Sequence, residues 1–291
     1  MPTQLQSGIS VSPPASADID FDAVAGIVNA AVDEQVTADN ARFEERARME
    51  EALWRPRYEN ALAAGLIPEP DEMQVLTDLD QADTAERRQT ADDLGDGLGV
   101  LRQPLPVTPH LPNLNQWASP PYHSGHGEGT QGPVIHARAF SNNGWVEMWP
   151  QSSLGTNWAW GRCSLTQLIV KKSSRINLDP VYLFHPRGHE VSGWSFFSPA
   201  RFQADAYLTV VNAKTGDRWA DKTRILDTKR GMLGCFREEL PVGGPLYVLS
   251  QGTAAPGDYV VLTATIVTRV AVPIGHASFL FSGIVNPFAI A

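Results

Sequence analysis

Cysteine is nearly absent: Cys163 and Cys235 are the only two in 291 residues. Two thiols in a chain this long cannot supply the disulfide framework of a small secreted domain, and the default for such a pair is buried and reduced. Charge is sparse as well, at 19 % of residues against the ~25 % of an ordinary soluble domain. Much of the surface is then expected to be covered, by sheet packing or by partners. No run of 18 or more apolar residues suggests a membrane span. The opening stretch, MPTQLQSGISVSPPASADIDF, has neither a basic n-region nor an apolar h-region, so no secretory signal is read there. The chain is expected to be made and assembled in the cytoplasm. Also missing are a P-loop, a G-x-S-x-G elbow, a dinucleotide fingerprint and a catalytic-cysteine signature. No cofactor is implied, and no catalytic residue is assigned.

Lysine is missing from the first 100 residues. That part carries 21 acidic side chains against 7 arginines, a net −14, whereas residues 101–291 carry 16 basic against 11 acidic, a net +5. The acidic part either presents a solvated face or docks on basic parts, its own or a neighbour's. Residues 1–18 are polar, rich in Pro and Ser and without periodicity, and read as a flexible tail. Residues 19–99 read as an acidic helical region. Phe21, Val24, Val28 and Ala31, with Ile27 and Val32 beside them, mark one helical face, and Phe43, Ala47, Trp54 and Tyr58 continue it. Pro56 should kink the helix or start a new one, and Gly65 is a natural C-cap. A second helix is predicted from about Asp71 to Leu94. Neither helix has a core of its own, so both must pack on something else. Residues 100–133, with seven prolines and four glycines, read as a connector able to reach ~100 Å when extended.

From Val134 the apolar period becomes two. VIHARAF and WVEMW flank SNNG, a hairpin signal. Further strands are predicted in LTQLIVK, PVYLF, GWSFF, RFQADAYLTVV, RWADKTRIL, LYVLS, DYVVLTATIVTRVAV, ASFLF and IVNPFAI. About ten strands with no helical pattern between them define residues 134–291 as an antiparallel β-sandwich. In the longest, Val260, Leu262, Ala264, Ile266, Val270 and Val272 share one face, and Tyr259, Thr263, Thr265 and Arg269 the other. Fifteen such residues span ~50 Å, so this strand must bend or run along the edge of a large two-sheet body.

Four constellations bear on chemistry. His123, His126 and Glu128 offer ligand types that zinc accepts, but Gly125, Gly127 and Gly129 deny them a helix, so no metal site is assigned. His185, His189 and Glu190 lie in HPRGHE, which Pro186 and Gly188 mark as a loop. Glu147, Asp179, Asp205, Glu238 and Glu239 could serve a hydrolase, yet spacing singles out no pair. Trp145, Trp149, Trp158 and Trp160 cluster, and serve either as core or subunit-interface residues or as a platform for sugar rings. KKSSR at 171–175 and KTRILDTKR at 222–230 are too short and too mixed with acid to indicate nucleic-acid binding.

The stretch PLYVLSQGTAAPGDYVVLTATIVTRVAVP is similar to the last two strands of jelly-roll coat proteins of small icosahedral viruses. An apolar strand, a small-residue loop, Gly257, Tyr259, a long alternating strand and Pro273 carry the resemblance. It implies a jelly-roll-type sandwich and a non-enzymatic structural subunit of a virion or similar shell. Such a subunit would form a homo-oligomer through its helices, arm and sandwich, with other virion proteins as further partners. Two features depart from that pattern. The N-terminal region is acidic rather than basic, and an apolar tail, IGHASFLFSGIVNPFAIA, follows Pro273. The alternative is a carbohydrate-binding module or adhesin built on the tryptophans.

Overall fold

The computed structural model describes residues 21–82, 116–129, 137–153, 156–231, 233–240 and 244–290. The expected tail at 1–18 lies outside these residues, as do 83–99 of the helical region and 100–115 of the connector. Helix α1 spans Phe21–Ala63, and a second helix, α2, occupies residues 70–82. The strands are β1 (Gln116–Ala118), β2 (Ser124–Gly129), β3 (Ala137–Phe140), β4 (Trp145–Met148), β5 (Gln151–Ser152), β6 (Trp158–Val170), β7 (Asn177–Leu178) and β8 (Val181–Phe196). They continue as β9 (Ala200–Asn212), β10 (Arg218–Arg230), β11 (Leu233–Glu239), β12 (Leu246–Leu249), β13 (Gly252–Thr253), β14 (Tyr259–Ala271) and β15 (Gly275–Ile290).

Two antiparallel sheets face each other. The first runs β11–β8–β15–β4–β3, with β12 also on β8 and β1 and β5 on β15; the second runs β10–β9–β14–β6–β2. Along the chain the long strands alternate between sheets, except that β9 and β10 form a hairpin within one. Strand β15 enters between β4 and β8, and β14 between β6 and β9. This is the strand order of a jelly roll, two Greek keys folded over one core. The core holds Val260, Leu262, Ala264, Ile266, Val270 and Val272 from β14 and its end, against Phe279, Phe281, Val285 and Phe288 of β15. The strand β14 is therefore central, paired along both sides, rather than an edge strand. Its length is met by equally long neighbours, β6 and β9, each of 13 residues.

The HPRGHE segment is not a loop. It is the middle of the 16-residue strand β8. Proline is tolerated because β8 is locally an edge there: β12 pairs with residues 181–184 and β11 with 190–196, leaving 185–189 with no ladder on that side. On the other side a register shift at Ser282/Gly283 absorbs Pro186.

Part of the expected connector also belongs to the sandwich. Strand β1 pairs with the end of β15, and β2 with β6. Tyr122 between them is buried, donates to the Val285 carbonyl at 2.7 Å and packs edge-on against Phe288. The glycines of SGHGEG serve close approach rather than flexibility. A Cβ on Gly127 would lie 2.1 Å from the Ala137 carbonyl oxygen, and one on Gly125 2.6 Å from that of Ala139. Every second residue must lack a side chain for β2 to lie on the backbone of β3.

Helix α1 continues through Pro56. Glu–Arg pairs at i,i+4 (Glu44–Arg48 and Glu51–Arg55) line its surface. It ends at Gly65, φ 64°, with Leu66 N donating to Ala61 O and Gly65 N to Leu62 O, a Schellman closure. Its inner stripe does not wait for another subunit; it is buried on the chain's own sandwich. Val28, Val32 and Val36 pack on Tyr207, Val211, Val261 and Val267 of the second sheet's outer face. Phe43 and Ala47 meet Ala271 and Trp158. Beyond the turn, Tyr58 and Met73 close over Trp194 and Ile274 at the first sheet. The helical arm thus clasps both sheets.

Candidate functional site

The densest polar constellation lies where the arm meets the sheets, and it follows from the charge asymmetry of the sequence. Arg269 projects from the outer face of β14 and is fully buried. Its Nε donates to Asn40 Oδ1 at 2.6 Å, its Nη1 to Asp205 Oδ2 at 2.7 Å and its Nη2 to the Tyr207 hydroxyl at 3.1 Å. Asp205, also fully buried, accepts further bonds from Gln203 and Arg224. Tyr207 donates to Asp39 Oδ2 at 2.6 Å, which also accepts from Lys222 Nζ at 2.8 Å. Burial acts to raise the Asp39 pKa, but the bonds from Lys222 and Tyr207, with the charges of Lys222 and Arg269, hold it below the usual carboxylate value. Burial drives the Tyr207 phenol upward.

The same pairing repeats along the arm. Asp33 meets Arg162, Glu34 meets Arg218 at 3.0 Å, Glu50 meets Lys229 at 3.3 Å and Glu51 meets Asn157. On the first sheet, Asp80 of α2 takes Ser192 Oγ and contacts His276 Nε2, both at 3.1 Å, while Trp194 Nε1 donates to Thr77. Acidic helix docks on basic sheet, within one chain. Saturated pairs of this kind hold elements together; they offer no free acid, base or nucleophile for a reaction.

The residues singled out in the sequence do not converge. Trp158 and Trp160 stand on the outer face of β6, where Trp158 packs under α1. Trp145 belongs to the other sheet, and Trp149 just past it is fully buried, its Nε1 donating to Ser278. Trp145, Trp158 and Trp160 are half-buried, so the four form no single open platform. His126 Nε2 lies 3.4 Å from Glu128 Oε2, and the other Glu128 oxygen pairs with Arg162 at 2.7 Å. The His123 amide is tied to Thr166 O. Among the described residues no group of three or more His, Cys, Asp or Glu side chains could hold a metal ion.

His189 is inside the sandwich, stacked on Phe281 at 4.6 Å. Burial lowers its pKa to about 4, which keeps it neutral. His185 is lowered too, by burial and then by Arg187. The five carboxylates scatter: Asp205 is locked by arginines, Glu238 pairs with Arg230, and Asp179 with Arg175. The two cysteines are both free, but only Cys163 is buried; Cys235 is exposed on β11, a strand absent from the sequence reading. Burial pushes the Cys163 thiol up. The Arg269–Asp205–Asp39 cluster was missed as well. Its signal was one Arg and one Asp set into otherwise apolar or small-residue strands.

Fold and site define a jelly-roll β-sandwich clasped by an acidic helical arm. No protein family matches the chain, and no curated protein matches it. Several solved structures share a sandwich with it. One is a carbohydrate-binding module solved with β-1,4-galactotriose, at 8 % identity over 57 % of this chain and 89 % of that one, TM-score 0.22. Another is the enzymatically active domain of tailspike protein 4 of bacteriophage CBA120, at 12 % identity over 56 % of this chain and 19 % of that one, TM-score 0.20. A third is from infectious bursal disease virus, Gx strain, at 12 % identity over 64 % and 46 % of the two chains, TM-score 0.14. Scores this low decide nothing about function. Among the described residues no helix is long and apolar enough to cross a membrane.

Proposed function

We propose that this chain is a non-enzymatic structural subunit of a virion or similar protein shell, a coat or other virion protein that assembles as a homo-oligomer. The observation that carries this reading is the architecture: two jelly-roll sheets that keep open edges at β10 and β11, bound on their outer faces by a long helical arm. The polar groups at the centre of that arrangement are engaged in holding the arm. The acidic arm lies on basic side chains of the same chain, so its charge serves docking rather than packaged nucleic acid. The sugar-binding alternative would need a stacking surface, and the tryptophans give it at most half-buried rings on two different sheets.

The test is the mass and shape of the purified full chain. Light scattering coupled to chromatography, with negative-stain images, should show large closed or regular particles. A chain that stays monomeric at 100 µM and binds an oligosaccharide array would sink the shell reading and put the module reading in its place.

A further inference from the structure

The inner face of the arm is used on the sandwich; its outer face carries a second apolar pattern. Met49 and Leu53 on α1 and Val75 and Leu79 on α2 are 57–68 % exposed. Each pair is spaced i,i+4 and so forms one short stripe, on the side of its helix away from Ala47 and Met73. Single exposed apolar residues are ordinary. Two matched stripes on the two arms of one helical hairpin are less so, and their borders differ in sign. Arg42 and Arg46 border the α1 stripe, with side chains 79 % and 56 % exposed. Asp71, Glu72 and Asp78 border the α2 stripe, all exposed, and α2 contains no basic residue.

We propose that these stripes form a two-fold self-association surface, in which the α1 stripe of one copy packs on the α2 stripe of a second copy and the reverse contact forms at the same time. An isologous contact requires each subunit to carry both halves of a complementary pair, and the hairpin does. The apolar residues meet, the α1 arginines face the α2 carboxylates, and a wrong pairing of α2 on α2 is opposed by like charge. This inference rests on the shell reading and names one of its interfaces.

The test uses the full chain and sedimentation equilibrium in low salt, where exposed charges are least screened. Variant A is Arg42→Glu with Arg46→Glu; variant B is Asp71→Arg with Asp78→Arg. All four positions are exposed, and matching circular dichroism melts check that folding is intact. Each variant alone should self-associate at least about tenfold more weakly than the wild type. An equimolar mixture of A and B should recover the wild-type affinity, since every reversed border then meets its opposite. Leu53→Ser with Leu79→Ser should weaken association without any change of charge. The inference is overturned if A and B assemble as the wild type does, or if their mixture is no tighter than either alone. Particles that form unimpaired from both variants overturn the interface and leave the shell reading standing. A wild type that never self-associates overturns both.

Discussion

Replacing Arg269 with methionine removes one charge from the centre of the arm–sheet contact and keeps most of the side-chain volume. Asp205 would remain fully buried with a single guanidinium, that of Arg224, whose side chain is 42 % exposed. Asn40 Oδ1 and the Tyr207 hydroxyl would each lose the donor they accept from Arg269. Breaking one side of a buried ion pair costs ~3–5 kcal/mol, because the other charge is stranded. Arg224 still offsets part of that here, so the loss should fall at the low end, about 3 kcal/mol. In a chain of this size, each kcal/mol moves the melting temperature by ~2–4 °C. The expected drop is therefore about 6–12 °C, read by circular dichroism at neutral pH and checked by the urea midpoint. Asn40→Ala removes only one acceptor and should cost about 1 kcal/mol. The double variant Asp205→Asn/Arg269→Met should lose less than the sum of its singles, since neither charge is then left alone. A melting point of Arg269→Met within 2 °C of the wild type would refute the claim that this cluster anchors the arm.

Three further outcomes follow from the same geometry. His189 has its folded pKa depressed to about 4 by burial, below the ~6.5 of an unfolded histidine. The fold favours its neutral form, so stability is unaffected above pH 6.5 and falls as the pH drops through 6.5 towards 4, by about 3 kcal/mol in all; His189→Leu should flatten that part of the urea-midpoint profile, and an unchanged slope would contradict it. Gly127→Ala places a Cβ against the Ala137 carbonyl and should cost ~1–3 kcal/mol, whereas a wild-type melting curve would mean that β2 and β3 are not in close contact. Of the two thiols, only Cys235 should react with a thiol reagent in the folded chain; prompt modification of both would show that Cys163 is not buried.

Much of the architecture was legible along the chain because it depends on local period and local stops. The alternation in residues 258–272 named the core face of β14 residue by residue, and Gly65 marked the end of α1 by a conformation that glycine adopts freely. The charge contrast between the two parts of the chain pointed to docking of acid on base. What the sequence could not supply were relations between distant residues. Pro186 and Gly188 look like a loop until β11 and β12 are seen to leave a gap beside them. The glycines of β2 look like a linker until β3 lies across them. Helices without a core call for some covering surface, but a one-dimensional pattern cannot say whose. Arg269, Asp205, Tyr207 and Asp39 come from four separate parts of the chain. Each reads as an isolated polar residue, and only the pairing of β14 with β9 under α1 brings them within hydrogen-bonding distance, where short-range forces can act.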